Sequence, residues 1–240
     1  EDIYTSEGAF AALSEDGSVT TWGHPNCGGN SSQAKEFLKH GVKKIFSTDG
    51  AFAALKASGS VVAWGNPDFG GDVGTLQEQL TVGVKQVFGN SGAFAAIIAD
   101  GSVVSWGKAN SGGKCQAVLE QLQHGVSDVI SSEGAFAALK TCSDACSVVA
   151  WGSPDFGGDC SAVQEHLNDG VVGMCSTKSA FAALKSDGSV ITWGSDRCGG
   201  NSVHVADYFR DDIQHILERH GLFSMMDSSG SAVIFGWEEE

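Results

Sequence analysis

Apolar positions recur in the same order six times along the chain, and each recurrence closes with an aromatic residue followed by glycine. In the first five recurrences this aromatic residue is a tryptophan: Trp22, Trp64, Trp106, Trp151 and Trp193. Phe235 takes the same place in the sixth. The intervals are 42, 42, 45, 42 and 42 residues, and a spacing this regular indicates one structural unit repeated along the chain.

A phenylalanine among alanines marks the same period earlier in each unit. The phenylalanines in this context are Phe10, Phe52, Phe94, Phe136 and Phe181. Phe223 continues the series with altered neighbours. We expect the five phenylalanines and the five tryptophans to form the repeated structural core.

The second unit indicates which elements a repeat contains. Residues 42–47 are mostly apolar, which is typical of a short buried strand, and 49–50 is an Asp-Gly turn pattern. A Ser-Gly pair at 58–59 is typical of a tight hairpin that joins strands 51–55 and 60–64. The middle strand is apolar on both faces, so we expect both faces to be covered.

A short helix is predicted after each Trp-Gly loop. The loop ends in a glycine pair, and apolar residues four apart follow it, a spacing that gives a helix one buried stripe. These apolar pairs are Leu76 with Leu80, Val118 with Leu122, and Val163 with Leu167. Each unit is therefore predicted to contain three strands and a short helix.

Units of this size cannot bury both faces of a sheet alone, and stacking the sheets around an axis solves this problem. We therefore expect an all-β fold, a six-repeat β-propeller in a single domain over residues 1–240. An open arc of blades completed by a partner is the alternative to a closed ring. The expected repeat units are approximately 1–41, 42–83, 84–125, 126–170, 171–212 and 213–240.

Two predictions compete over residues 203–220. The repeat register predicts a helix followed by a strand. The local spacing of apolar residues predicts one longer helix with a single apolar face. The first account describes a modified last blade, and the second describes a helix that docks onto a partner.

Composition and charge exclude several classes of function. The chain has 33 glycines, 3 prolines and 42% hydrophobic residues, which favours a folded protein with many tight turns. Its 14 basic and 29 acidic residues give a net charge of −15, which argues against binding nucleic acid or an anionic membrane. No apolar run is long enough to insert into a membrane. A start at Glu1 without a leader suggests a processed chain or an excised piece.

The sequence around each Trp-Gly pair carries a family resemblance. Residues 54–65 and 183–194 follow the pattern Ala-Leu-Lys-x-(Ser/Asp)-Gly-Ser-Val-(Val/Ile)-x-Trp-Gly, which resembles the regulator-of-chromosome-condensation repeat. The short period is similar to the compact propeller of the β-lactamase inhibitory proteins and to repeats of dinoflagellate algal proteins. The resemblance implies a propeller, and such propellers serve nucleotide exchange, enzyme inhibition and scaffolding. An organellar location, such as the plastid, or secretion is then favoured over the nucleus.

The loop after Trp-Gly is the best candidate for an interaction surface. It carries Asn66, Pro67, Asp68 and Phe69 in the second unit and Pro154, Asp155 and Phe156 in the fourth. Such loops converge on one face of a propeller, where acidic and aromatic residues recognise partners. In the alternative, Pro-Asp only forms a turn and the phenylalanine only caps its own blade.

The turn between the first two strands of a repeat is the second candidate. It carries Glu7, Asp49 and Glu133, and an acidic patch there would steer a basic partner toward the protein. A solvated turn without a binding role is the alternative.

The metal and cysteine candidates are weaker. Aspartates flank the glycine pairs, but they lack the alternating oxygen ligands of a Ca²⁺ loop, so we expect no metal. Cys142 and Cys146 bracket the lengthened turn of the fourth unit, and they are a candidate local disulfide in an oxidising compartment. No nucleophile pair, paired carboxylates or phosphate loop indicates an enzyme, a cofactor or a small-molecule ligand.

The sequence therefore favours a non-catalytic propeller or scaffold that binds another protein or a multisubunit complex. A peripheral structural subunit of a large assembly, such as a plastid photosynthetic complex, is the alternative. A guanine-nucleotide exchange regulator is a more distant one, because the chain has no long insertion to act as an exchange wedge.

Overall fold

A computed structural model describes residues 2–142, 145–202, 213–219 and 221–236. The chain divides into two compact units, Glu1–Gln116 and Ala117–Glu240. This division does not test the prediction of a single domain. Each unit contains three antiparallel sheets of three strands, one sheet for each expected repeat. Within the described residues no helix is long and apolar enough to cross a membrane.

The first unit contains repeats 1 to 3, whose sheets are ordered β1-β2-β3, β4-β5-β6 and β7-β8-β9. Its strands are β1 (Asp2–Thr5), β2 (Ala9–Leu13), β3 (Val19–Gly23), β4 (Val42–Ser47), β5 (Ala51–Lys56), β6 (Val61–Gly65), β7 (Val84–Gly89), β8 (Ala93–Ile98) and β9 (Val103–Gly107). The three strands predicted in the second repeat are confirmed.

The second unit contains repeats 4 to 6, with the same strand order in each sheet. Its strands are β10 (Val126–Ser131), β11 (Ala135–Cys142), β12 (Ala145–Gly152), β13 (Val171–Ser176), β14 (Ala180–Lys185), β15 (Val190–Gly194), β16 (Ile213–Arg219), β17 (Leu222–Asp227) and β18 (Ala232–Phe235). The longer interval in repeat 4 lengthens the β11–β12 hairpin, in which Thr141 pairs with Cys146.

The strand β16 decides between the two predictions for residues 203–220. One continuous helix over this segment is wrong, because Ile213 pairs with Asp227 in a sheet with β17. The repeat register correctly predicted a strand here. Residues 203–212, where the same prediction placed a helix, lie outside the described residues.

The predicted short helices are mostly 3-10 turns rather than two turns of α-helix. The 3-10 helices are Pro25–Cys27, Pro67–Phe69, Gly74–Leu76, Ala109–Ser111, Gln116–Leu122, Pro154–Phe156, Ser161–Val163 and Asp196–Cys198, and Gln164–Leu167 is a single α-turn. The apolar stripe is nevertheless present, because Leu80, Leu122 and Leu167 are fully buried. Short turns suffice because one anchoring leucine per repeat closes the segment onto the sheet.

The middle strand of repeat 2 is covered on both faces by neighbouring sheets. In β5, Phe52 and Ala54 pack with residues of repeat 1, whereas Ala51 and Ala53 pack with residues of repeat 3. All four side chains are 0% exposed. Alternation along the strand sends successive side chains to opposite faces, and the small alanines allow the sheets to approach closely.

A β-bulge at the start of the first strand connects successive repeats. The pairing between β7 and β8 shifts between Val84 and Gln86, and equivalent shifts occur in repeats 2, 4, 5 and 6. The shift releases the N–H of Val84 from its own sheet, and this group donates to the carbonyl of Gly59 in the preceding repeat at 2.9 Å.

The aromatic pair of each repeat stacks as expected, but its burial is not uniform. Phe52 and Trp64 stack with ring centroids 5.4 Å apart, and the same stacking recurs in the other four repeats that have a tryptophan. The phenylalanines of repeats 2 to 5 are 0% exposed and their tryptophans 3–4%. Repeat 1 departs from the expected core, because Phe10 and Trp22 are each 42% exposed.

In the first unit, the tryptophan of each buried Phe–Trp pair also forms a hydrogen bond through its indole N–H. The Nε1–H of Trp64 donates to the carbonyl of Gly28 at 3.0 Å, and that of Trp106 donates to Gly70 at the same distance. Trp22 has no such partner in the part of the chain that the structure describes.

We expect Trp64→Phe to lower the free energy of unfolding by about 2 kcal/mol, because it removes a buried hydrogen bond and leaves the carbonyl of Gly28 without its donor. The matched change Trp22→Phe should cost less than about 0.5 kcal/mol, because no indole bond is lost at this exposed site. Urea denaturation followed by circular dichroism measures both. Equal losses would show that the indole bond does not stabilise the stack.

Candidate functional site

Two of the segments that the sequence singled out meet at one end of each of the first five sheets. In repeat 2 these are the turn 48–50 between the first two strands and the Trp-Gly loop 66–71 after the third. We call this end of the sheets the loop end, and the opposite end, with the turns between the second and third strands, the hairpin end. The loop end also comprises residues 6–8, 24–29, 90–92, 108–113, 132–134, 153–158, 177–179 and 195–200.

The Trp-Gly loop is a 3-10 turn with a fixed beginning and end. The side chain of Asn66 accepts from the N–H of Asp68 at 3.0 Å, and Pro67 occupies the first helical position. Gly70 ends the turn with φ of 93°, and its N–H donates to Pro67 at 3.1 Å. A left-handed residue is required at this position, and glycine adopts it without steric cost.

The loop is held against the turn by Phe69. A Cβ atom at Gly50 would lie 2.8 Å from Cγ of Phe69, so the ring packs directly on the glycine main chain. Phe156 packs in the same way on Gly134 in repeat 4. Both phenylalanines are half-buried and contact a turn of their own repeat.

A polar side chain that the sequence analysis did not single out joins the loop to the turn. The hydroxyl of Thr48 donates to the carbonyl of Phe69 at 2.9 Å and accepts from the N–H of Ala51 at 3.0 Å. Thr48 is only 4% exposed. The equivalent residues that form both bonds are Ser6, Asn90, Ser132 and Thr177.

A pattern in the sequence could have identified this pair of hydrogen bonds, which we call the clamp. A serine, threonine or asparagine stands three residues before the alanine that opens the middle strand in each of the first five repeats. Short polar side chains at such a spacing are typical of turns in which they bond to the main chain.

Main-chain hydrogen bonds connect the turns of successive repeats. The N–H of Glu7 donates to the carbonyl of Asp49 at 3.1 Å, and the N–H of Asp49 donates to Ser91 at 2.9 Å. In the second unit, the N–H of Glu133 donates to Lys178 at 2.8 Å. The candidate turns of the first unit therefore form a continuous row rather than isolated loops.

The acidic candidates project from this fixed framework into solvent. Glu7, Asp49 and Asp68 are exposed in the first unit, and Glu133 and Asp155 are exposed in the second. Two prolines of the candidate loops, Pro67 and Pro154, are exposed beside them.

The loop end also carries cations. The Nζ of Lys108 lies 5.8 Å from the ring centroid of Phe69, where the ring faces the ammonium group. Lys178 replaces the acidic residue in the turn of repeat 5, and Arg197 lies in the loop of that repeat. In the first unit the candidate acids of repeats 1 and 2 are therefore followed by a basic side chain in repeat 3.

A groove of about 510 Å³ runs beside the loop end between repeats 1 and 2. Pro25 and Pro67 lie at its loop end, and Phe37 contributes apolar surface. Most of the remaining lining is amide, hydroxyl or main-chain surface, and Asp72 is the one charged residue among those that line it. A lining of this kind offers hydrogen bonds to a peptide backbone.

Carboxylates at the hairpin end have a different role. The hydroxyl of Ser18, followed by its N–H, holds the pKa of the Asp16 carboxyl below its usual range. Serines two residues along lower the pKa of Asp100 and Asp187 in the same way. These aspartates accept hydrogen bonds within their own turns, so their charges stabilise the hairpins.

The burial of Cys175 makes its thiol unreactive. Burial, with a smaller contribution from the charge of Glu218, raises the pKa of the Cys175 thiol to about 12, which makes it a poor nucleophile. The Cα of Cys146 pairs across the hairpin with that of Thr141. The side chain of Cys142 lies outside the described residues, so the Cys142–Cys146 disulfide stays a prediction.

Comparison with known proteins identifies the fold. No protein-family model matches the chain, and no curated protein sequence does either. Among solved structures, the chain is similar to Prp20p, the RCC1 protein of Saccharomyces cerevisiae, with a TM-score of 0.56 and 18% identity over 98% of this chain and 71% of that one. The chain has an RCC1-like β-propeller fold.

Two further neighbours support the same RCC1-like architecture. Human WBSCR16 matches with a TM-score of 0.55 and 13% identity over 98% of this chain and 77% of that one. The CRINKLY WD40 ectodomain of the Arabidopsis thaliana receptor kinase ACR4 matches with a TM-score of 0.53 and 15% identity over 99% and 84% of the two chains. At these identities the likeness concerns the fold alone.

We expect Thr48→Val to lower the free energy of unfolding by about 2 kcal/mol, because it leaves the buried N–H of Ala51 and the carbonyl of Phe69 without partners. Thr48→Ser keeps the hydroxyl, as Ser132 does in repeat 4, and should cost less than half as much. Denaturant unfolding of both variants measures the difference. Similar losses would show that packing of the Thr48 methyl group, rather than the hydroxyl clamp, fixes the loop.

Proposed function

We propose that this RCC1-like propeller is a non-catalytic protein-binding module whose loop end binds a basic segment of a partner protein. The observation that carries the proposal is the row of bonded turns, from which Glu7 and Asp49 project into solvent on adjacent repeats. A carboxylate on a fixed main chain loses little conformational entropy when a partner binds it, which favours recognition by pre-organisation.

The remaining features of the loop end are consistent with protein recognition. Asp68 and Pro67 lie in the loop that packs on the same turn, and the groove between repeats 1 and 2 begins beside them. A net charge of −15 would attract a basic partner over a distance of about one Debye length, roughly 8–10 Å at physiological salt. The acidic row would end at Lys108 of repeat 3, where the charge changes sign.

The solved neighbours support a protein partner in general terms. The structural report of Prp20p describes its binding to Gsp1p and histones, and a second report shows the same protein bound by Kap60. Because histones are basic proteins, they are a suitable first probe for the acidic loop end of this chain.

We expect the intact chain to bind core histones, with an affinity that falls as salt is raised from 50 to 200 mM. The double change Glu7→Gln with Asp49→Asn should weaken binding roughly two- to thirtyfold, since each exposed charge pair contributes about 0.2–1 kcal/mol. Fluorescence anisotropy with labelled histones measures this affinity.

The matched control removes two charges elsewhere in the same unit. Glu15→Gln with Glu78→Gln changes two exposed carboxylates, one in the hairpin turn of repeat 1 and one in the segment that precedes β7. This control should bind within twofold of the unchanged chain. If both double variants weaken binding equally, attraction by net charge alone explains the result and the loop end is not the site.

A further inference from the structure

In repeat 1, one face of the sheet is exposed to solvent, whereas the equivalent face is covered in repeats 2, 3 and 5. Strand pairing places Ile3, Phe10 and Trp22 on this face, because Ile3 pairs with Ala12 and Phe10 pairs with Trp22. Their exposed fractions are 62%, 42% and 42%. We call this surface the repeat 1 face.

The covered copies show what chemistry fits such a face. In repeat 2 the equivalent Phe52 and Trp64 are covered by Gly28, which belongs to the Trp-Gly loop of the preceding repeat. Gly70 covers Phe94 and Trp106 of repeat 3, and Gly157 covers Phe181 and Trp193 of repeat 5. In all three the indole N–H donates to the glycine carbonyl at 3.0 Å.

Glycine is required at this contact for two reasons. The covering glycines have φ between 85° and 93°, a backbone conformation that residues with a side chain rarely adopt. A Cβ atom on them would also lie 2.5–2.7 Å from the phenylalanine ring. The face therefore selects a left-handed glycine that follows a 3-10 turn, with its carbonyl directed at the indole.

The aromatic pair of the repeat 1 face has the same arrangement as the covered pairs, but no glycine loop of the described residues covers it. Phe10 and Trp22 stack with ring centroids 5.4 Å apart, as Phe52 and Trp64 do, and their rings are 11° from parallel, against 22° in repeat 2. Within the described residues, no acceptor lies within hydrogen-bonding distance of the Trp22 indole N–H. An exposed aromatic pair with an unpartnered donor is the arrangement expected of a protein-binding surface.

We propose that the repeat 1 face is a docking site for a glycine-pair loop of a partner protein, a 3-10 turn whose left-handed glycine packs on Phe10 and bonds to Trp22. The loops that end at Gly28, Gly70, Gly157 and Gly199 are engaged on the repeats that follow them, and Gly112 is not free either. A second copy of the folded chain would therefore have to release one of these loops to serve as the ligand. This proposal does not depend on the function proposed above.

The test uses the intact chain labelled with ¹⁵N at the tryptophan indoles. Trp22→Phe identifies the Trp22 signal by its loss, and the signals of the buried tryptophans report that the variant is folded. The probe is the peptide Gly-Asn-Pro-Asp-Phe-Gly-Gly-Asp, which reproduces residues 65–72. The control peptide carries alanine in place of the first glycine of the pair.

We expect the probe peptide to shift the Trp22 indole signal and slow its hydrogen exchange, with the alanine peptide at least tenfold weaker. To ensure that weak peptide affinity does not hide the site, the same loop is also joined to the N-terminus through a ten-residue Gly-Ser linker. This gives an effective concentration on the order of 1 mM. Protection of Trp22 in this fusion, and its loss with the alanine loop, supports the proposal.

Three results would overturn it: equal binding of both peptides, a fusion that leaves Trp22 unprotected, or shifts confined to the other tryptophans. Burial of Trp22 in a dimer detected by light scattering would also overturn it, because the occupant would then be a second copy of the chain.

Discussion

A left-handed glycine lies against the phenylalanine ring of the following repeat, and its carbonyl accepts the indole N–H of that repeat's tryptophan. This contact allows the main chain of one repeat to reach the aromatic pair of the next without an intervening side chain. Complete burial of one phenylalanine contributes about 2 kcal/mol, and the indole bond adds about 1 kcal/mol. The contact recurs with the repeat, so it sets how closely successive sheets pack.

The same contact determines the geometry of the candidate site. Because Gly70 is fixed on repeat 3, the loop that ends at Gly70 is fixed at its far end, while Asn66 and Thr48 fix its beginning and its side. The turn that carries Asp49 is bonded to the turns on either side. A rigid framework for the acidic side chains is thus a consequence of how the repeats pack.

Much of this arrangement could be predicted from the chain, because the glycine, phenylalanine and tryptophan positions repeat with the same spacing. The three strands of repeat 2 were predicted at their observed positions, and the strand at Ile213 followed from the repeat register despite its helical spacing of apolar residues. The clamp formed by Thr48 was missed because a polar residue before a turn does not contribute to the periodic pattern of apolar residues. The exposure of Trp22 could not be predicted, because burial of this pair depends on what covers it and not on its own repeat.

The most direct test of the glycine contact compares two left-handed glycines of repeat 2. Gly70, with φ of 93°, would place a Cβ 2.7 Å from the Phe94 ring, whereas Gly74, with φ of 53°, has open space around it. Strain in φ alone predicts that Gly74→Ala costs about 1 kcal/mol. Gly70→Ala should cost about 3 kcal/mol, because the clash with the ring adds roughly 1–3 kcal/mol. Equal losses in urea unfolding would contradict the view that this close approach holds the repeats together.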